Sequence, residues 1–153
     1  MPAALPVTIL EMLSVLNLPA EMEGNTIFKE HRGLVMETIK GLVLDNYYQS
    51  ALDPSLSDDD PRYIAFRIAY CFLMLHSTCE FLNLKTLGEG IVKTVGLDQS
   101  ATELLTGAEI DAFKSKLELR ALTVLSAYLN DAGKERLSII VPRQPRVIRV
   151  GVI

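Results

Sequence analysis

One stretch of the sequence brings together side chains with the chemistry to bind a metal. His76, Cys79 and Glu80 are spaced as i, i+3 and i+4, so a helix would place them on one face. Imidazole, thiolate and carboxylate groups are zinc ligands. The same spacing is also typical of a histidine that is hydrogen-bonded inside a helical core. We favour the core histidine and predict neither a metal nor a cofactor.

Other groups of residues match catalytic or ligand-binding motifs only in part. The run 58–60 is Asp-Asp-Asp, but it lacks the turn glycine and the closing glutamate of a calcium loop. Gly88-Glu89-Gly90 is not followed by the Lys-Ser/Thr of a phosphate loop. No glycine elbow surrounds the serines at 77, 115 and 126. The sequence therefore predicts no catalytic residue and no enzyme.

The two cysteines indicate a reducing environment. Cys71 and Cys79 are eight residues apart, which on a helix separates them by about 12 Å. This is too far for a disulfide bond, so free buried thiols are predicted.

The N terminus lacks the basic stretch of a signal peptide, and the apolar run 68–75 is too short to span a bilayer. No membrane partner is predicted.

The end of the chain differs in composition from the rest. Residues 1–133 contain 10 basic and 18 acidic residues, whereas residues 134–153 contain 5 basic residues and one acidic residue. The net charges are therefore −8 and +4. Prolines among β-branched residues indicate an edge or added strand, and an apolar free end needs a covering surface. We predict a helical body, 1–133, and an extended, β-prone C-terminal arm, 134–153.

The arm is the predicted interaction site. Its interacting residues are Ile139, Ile140, Val141, Arg143, Arg146, Val147, Ile148, Arg149, Val150, Val152 and Ile153. The three arginines are spaced by three, so they alternate faces in a strand but align in a polyproline II helix. Contact with DNA is a secondary alternative, since the body is acidic. Strand addition to a neighbouring subunit is favoured.

We expect the remaining elements of the chain to pack around one long apolar helix. Asp60 before Pro61 is typical of a helix start, and the residues that follow, to about Asn83, are apolar nearly all round. Such a helix is buried. A chain of 153 residues with 49% hydrophobic residues is most often one domain. The predicted fold is mostly α, a single bundle of four to five helices around this central buried helix.

The other helices follow from periodicity and capping signals. They are predicted at 7–18, at 26–48, and from a capping box of Thr106 and Glu109 to about Asn130, with Asp131-Ala132-Gly133 as the stop. Gly33 and Gly41 lower helix propensity and are tolerable if another helix crosses closely there. Residues 84–97 carry three glycines, which favours a loop or a short hairpin-like excursion.

Several segments together resemble a known class of proteins. They are 69–75, 81–84, 90–92, 106–110, 117–121 and 128–130, which read AYCFLML, FLNL, GIV, TGAEI, LELRA and YLN. Over about half of the chain this pattern resembles the small head–tail connector (adaptor, or head-completion) proteins of tailed bacteriophages.

The resemblance implies a structural virion protein. A homo-oligomeric ring would sit on the portal protein and contact other neck or tail proteins, and the arm would dock on a neighbour or on the portal. The location would be the virion neck, after assembly in the host cytoplasm. The alternative is a helical protein-binding or regulatory module with a docking tail and no virion role.

Overall fold

The computed structural model describes residues 7–18, 20–24, 26–84, 92–95, 101–104 and 107–141. These residues are mostly helical, as predicted. The helices are α1 (Ile9–Val15), α2 (Ile27–Leu42), α3 (Asp45–Ala51), α4 (Pro61–Leu84), α5 (Gly107–Val124) and α6 (Asp131–Ile140). Short 3-10 turns span Ala20–Gly24 and Ser126–Tyr128. The strands β1 (Val92–Val95) and β2 (Ala101–Leu104) follow α4 and precede α5 in the sequence, and they pair antiparallel with each other.

The central helix begins where the sequence predicts. The Asp60 carboxylate accepts a hydrogen bond from the Arg62 backbone N–H at 2.9 Å, and Pro61 is the first helical residue. α4 contacts α1, α2, α3 and α5, and Phe66, Tyr70 and Met74 on it are almost fully buried. This helix therefore supplies much of the core, as its apolar composition indicates.

The helix predicted at 26–48 is interrupted. α2 ends at Leu42, and α3 begins at Asp45. Between them, Val43 forms a β-bridge with Leu129. The Asn130 side chain donates to the Gly41 and Val43 carbonyls at 2.9 and 3.1 Å. These distant residues hydrogen-bond the backbone that a continuous helix would use for itself, so the prediction of one helix was wrong.

The end of the fifth helix also differs from the prediction. α5 stops at Val124, and Asp131-Ala132-Gly133 begins α6 rather than ending α5. Asn130 caps α6, because its side chain accepts from the Gly133 N–H at 2.9 Å. Thr106, the proposed cap of α5, lies outside the described residues.

The boundary between body and arm needs a matching correction. Residues 134–140, predicted as extended, are helical, since the Asn130 cap and the packing of Leu137 and Ile140 against the core stabilise α6. The rest of the predicted arm, residues 142–153, lies outside the described residues.

The close approach between helices lies at Gly133, not at Gly33 or Gly41. A Cβ at Gly33 or Gly41 would meet nothing within 4 Å. A Cβ at Gly133 would instead collide with the Leu42 carbonyl oxygen and the Leu129 side chain. Gly133 therefore allows α6 to approach the end of α2.

Candidate binding groove

A groove of about 460 Å³ lies between α2, α4 and α5. His31, Leu34, His76, Phe81, Lys114 and Glu118 are among its lining residues. α5 runs antiparallel to α4 here, since Lys114 pairs with Glu80 and Glu118 lies near His76. On α2, His31 pairs with Ser77 of α4. Both histidines of the chain thus lie on one concave surface, although they are 45 residues apart in sequence.

His31 and Ser77 form a polar pair within the groove. The His31 Nδ1 atom and the Ser77 Oγ atom are 2.5 Å apart, and the His31 ring meets the Phe81 ring edge-on at 5.4 Å. In an enzyme, a serine and a histidine at this distance can act as nucleophile and base. Acyl transfer also needs oxyanion donors. Ser77 lies well inside α4, where neighbouring backbone N–H groups bond within the helix, so we assign this pair no catalytic role.

Glu118 links α5 to α6 and to the groove. Its side chain is only 14% exposed, and its two oxygens accept from Arg136 Nε at 2.5 Å and from Arg136 Nη2 at 3.0 Å. The His76 Nε2 atom lies 3.9 Å from Glu118 Oε2. The two hydrogen bonds between Arg136 and Glu118 are the strong bidentate form of an arginine–carboxylate pair. It raises the pKa of Arg136 and fixes α6 beside α5.

His76 is held in its neutral form. Burial and, after it, the nearby Lys114 ammonium lower the pKa of His76, against a smaller opposing effect of Glu118. The pKa therefore lies below the usual value of about 6.5, and at neutral pH the imidazole is uncharged. A neutral ring suits an apolar groove, since it costs less to desolvate than a cation.

The candidate zinc ligands do not form a site. Cys79 is fully buried, and its thiol donates to the His76 carbonyl oxygen at 3.6 Å. Glu80 instead pairs with Lys114 at 3.0 Å. Among the described residues, no group of three or more His, Cys, Asp or Glu side chains is arranged to hold a metal ion.

The two cysteines are unreactive by environment. Both are free, as predicted, and buried. Burial raises the pKa of the Cys71 thiol to about 12 and raises that of Cys79 as well. Because thiolate is the reactive form, neither side chain is suited to redox or nucleophilic chemistry.

Two apolar side chains border the groove. Leu34 on α2 is 58% exposed, and Phe81 on α4 is 45% exposed. A concave surface with apolar borders and a few fixed polar groups is the usual form of a binding site for apolar groups. The groove is therefore suited to receive apolar side chains.

Part of the predicted interaction arm lies at the end of α6. Ile139 is 66% exposed and Val141 is 49% exposed, while Ile140 packs partly against the core. The other predicted arm residues, from Arg143 to Ile153, lie outside the described residues. The structure thus divides the predicted apolar run, with Ile139 and Val141 facing solvent and Ile140 facing inward.

Comparison with protein-family models, with curated proteins and with solved structures finds no match for this chain. Within the part of the chain that the structure describes, no helix combines the length and the apolar character needed to cross a membrane.

Sequence reasoning missed the groove. Its pairs join residues 46 and 18 positions apart, as in His31–Ser77 and Glu118–Arg136. No local motif carries such separations. The available signal was only that polar residues interrupt the apolar faces of α2 and α4, which does not indicate which of them meet.

Proposed function

We propose that this protein is a structural assembly protein, a helical bundle around α4 whose C-terminal region docks on another subunit. The observation that carries the proposal is the end of α6. There, the exposed side chains of Ile139 and Val141 lead directly into a sequence rich in valine, isoleucine and arginine. Exposed apolar side chains next to such a sequence are typical of a surface that another protein covers.

The resemblance described above gives the assembly its particular form. We place the protein among head-to-tail connector, or adaptor, subunits that form a ring on the portal protein in the virion neck. Docking would be driven mainly by apolar burial, at about 25 cal/mol per Å². Arginine–carboxylate pairs at the surface would add about 0–1 kcal/mol each, so the acidic body mainly favours the correct orientation of a basic end.

The second candidate is a helical protein-binding or regulatory module without a virion role. The groove favours it, because Leu34 and Phe81 border a concave apolar surface that a partner could fill. The two functions differ in self-assembly. A ring subunit associates with copies of itself, whereas a binding module needs a different protein.

Solution mass by light scattering at several concentrations tests the proposal. The full chain is compared with a double variant, Ile139→Asp with Val141→Asp, which places charges on the proposed surface. We expect the full chain to form oligomers and the double variant to remain monomeric. Truncation after Gly133 would be unsuitable, since it removes most of α6.

The matched control is Leu10→Asp with Leu44→Asp. These side chains are 47% and 44% exposed and lie elsewhere on the surface, so this variant should assemble like the full chain. A full chain that is monomeric at every concentration would refute self-assembly and favour the binding module. Equal loss of assembly in both double variants would show that the end of α6 is not the interface.

A further inference from the structure

We infer that the groove has an occupant within the same chain. The C-terminal segment, residues 142–153, docks across the groove beside Leu34 and Phe81 in the unassembled subunit. This inference is independent of the proposed function, because it concerns the single molecule. The groove would thus hold an intramolecular ligand, residues 142–153, which an assembly partner would have to displace.

The direction of α6 supports this assignment. α6 begins at the end of α2, where the Asn130 N–H donates to the Leu42 carbonyl at 3.0 Å. Five residues into the helix, Arg136 pairs with Glu118, which precedes the end of α5 at Val124 by six residues. α6 therefore runs back along α5, in the direction that leads from Leu42 and Glu118 toward Lys114 and Phe81.

The point of departure lies close to the groove. Val141 follows Arg136 by five residues, which corresponds to about 7.5 Å along a helix, and Arg136 bonds directly to a residue of the groove lining. The twelve residues from 142 to 153 can span up to about 40 Å. His76 and Phe81 are separated by about 7.5 Å along α4, so the segment is long enough to reach every part of the groove.

Covalent attachment also favours the chain's own segment over a separate molecule as the occupant of the groove. A short tether gives an effective concentration in the millimolar range. A free copy of the protein would compete only at similar concentrations. In a dilute, unassembled subunit the tethered segment therefore occupies the groove first.

The chemistry of the segment matches that of the groove. Val147, Ile148 and Val150 are aliphatic and suit the apolar border formed by Leu34 and Phe81. The carboxylates near the groove are already paired, Glu80 with Lys114 and Glu118 with Arg136, so apolar contacts supply the affinity.

Thiol labelling of the full chain tests the inference. Leu34→Cys places a reactive group on the border of the groove, and both native cysteines are fully buried and do not compete. The matched control is Leu44→Cys, which is 44% exposed outside the groove. Labelling rates with a maleimide are measured at a concentration where light scattering shows monomers.

We expect Leu34→Cys to react about tenfold more slowly than Leu44→Cys, because a groove that is open about 10% of the time gives that protection. Adding Val147→Asp and Ile148→Asp to the Leu34→Cys chain should restore the rate. Adding Leu10→Asp instead should leave the protection unchanged.

Three results would overturn the inference. Equal rates at the two positions in the monomer would show an uncovered groove. Protection that persists with Val147→Asp and Ile148→Asp would show that another part of the chain covers Leu34. Protection that appears only at concentrations where the mass rises would identify a neighbouring copy as the occupant. The labelling of monomers can be interpreted whether or not the chain forms rings, so the two proposals fail separately.

Discussion

At the residue scale, Gly133 is the position where one added methyl group should matter most. A Cβ there would collide with the backbone of Leu42 and the side chain of Leu129. Moving the backbone costs more free energy than moving a flexible side chain. We expect Gly133→Ala to lower the free energy of unfolding by about 1–3 kcal/mol, as overpacking does. Urea denaturation measures the change.

The control for this prediction is the same substitution in open space. Gly33 is inside α2, and a Cβ there meets nothing within 4 Å. Gly33→Ala should raise the free energy of unfolding by about 0.5–1 kcal/mol through helix propensity and the entropy of the unfolded chain. Equal effects of the two substitutions would contradict the close approach of α6 to α2.

His76 gives the protein a predictable response to acid. Its pKa in the folded state is lowered, first by burial and then by Lys114, so the unfolded chain binds the proton more tightly. The neutral ring's contribution to stability is complete above about pH 6.5 and is lost as the pH falls through the lower folded value. Unfolding in urea at pH 7, 6 and 5 should show falling stability, and His76→Gln should fall less. The same fall of the unfolding free energy with pH in both proteins would contradict the assignment of this response to His76.

At the scale of elements, Asn130 organises two helix junctions at once. It caps α6 through Gly133 and holds the end of α2 through the carbonyls of Gly41 and Val43. We expect Asn130→Ala to cost about 2–3 kcal/mol, the sum of a lost cap and unsatisfied backbone groups. Thermal or urea unfolding gives the value.

Thr8 offers the matched comparison, because its side chain caps only α1, through the Glu11 N–H at 3.2 Å. Thr8→Ala should cost about 1 kcal/mol. If the two caps contribute equally, the side-chain bonds of Asn130 to α2 do not contribute to stability.

At the scale of the whole molecule, the balance between apolar burial and charge determines how assembly responds to salt. Surface ion pairs are largely screened at an ionic strength of about 1 M, whereas apolar burial is not weakened and is strengthened by sulfate. We therefore expect oligomers of the full chain to persist at about 1 M NaCl and to grow in sulfate, as light scattering would show. Dissociation in NaCl would instead indicate that the arginines of residues 142–153 dominate the interface.

Features that depend on local chemistry could be predicted from the sequence. The start of α4 at Pro61, the burial of that helix and the free thiols follow from proline geometry, apolar composition and spacing along a helix. The buried face of α2, with Ile27, Phe28, Val35 and Ile39, follows from helical periodicity for the same reason.

The positions where helices break and the polar groups that meet depend on contacts made in the folded chain. The interruption after Leu42 exists because Leu129 and Asn130 bond to that backbone, and α6 exists because a cap and a core face outweigh the β-branched character of Ile139 and Ile140. The groove likewise depends on contacts between residues distant in sequence. Backbone groups take the partner that the folded chain brings to them, and no local pattern in the sequence specifies that partner.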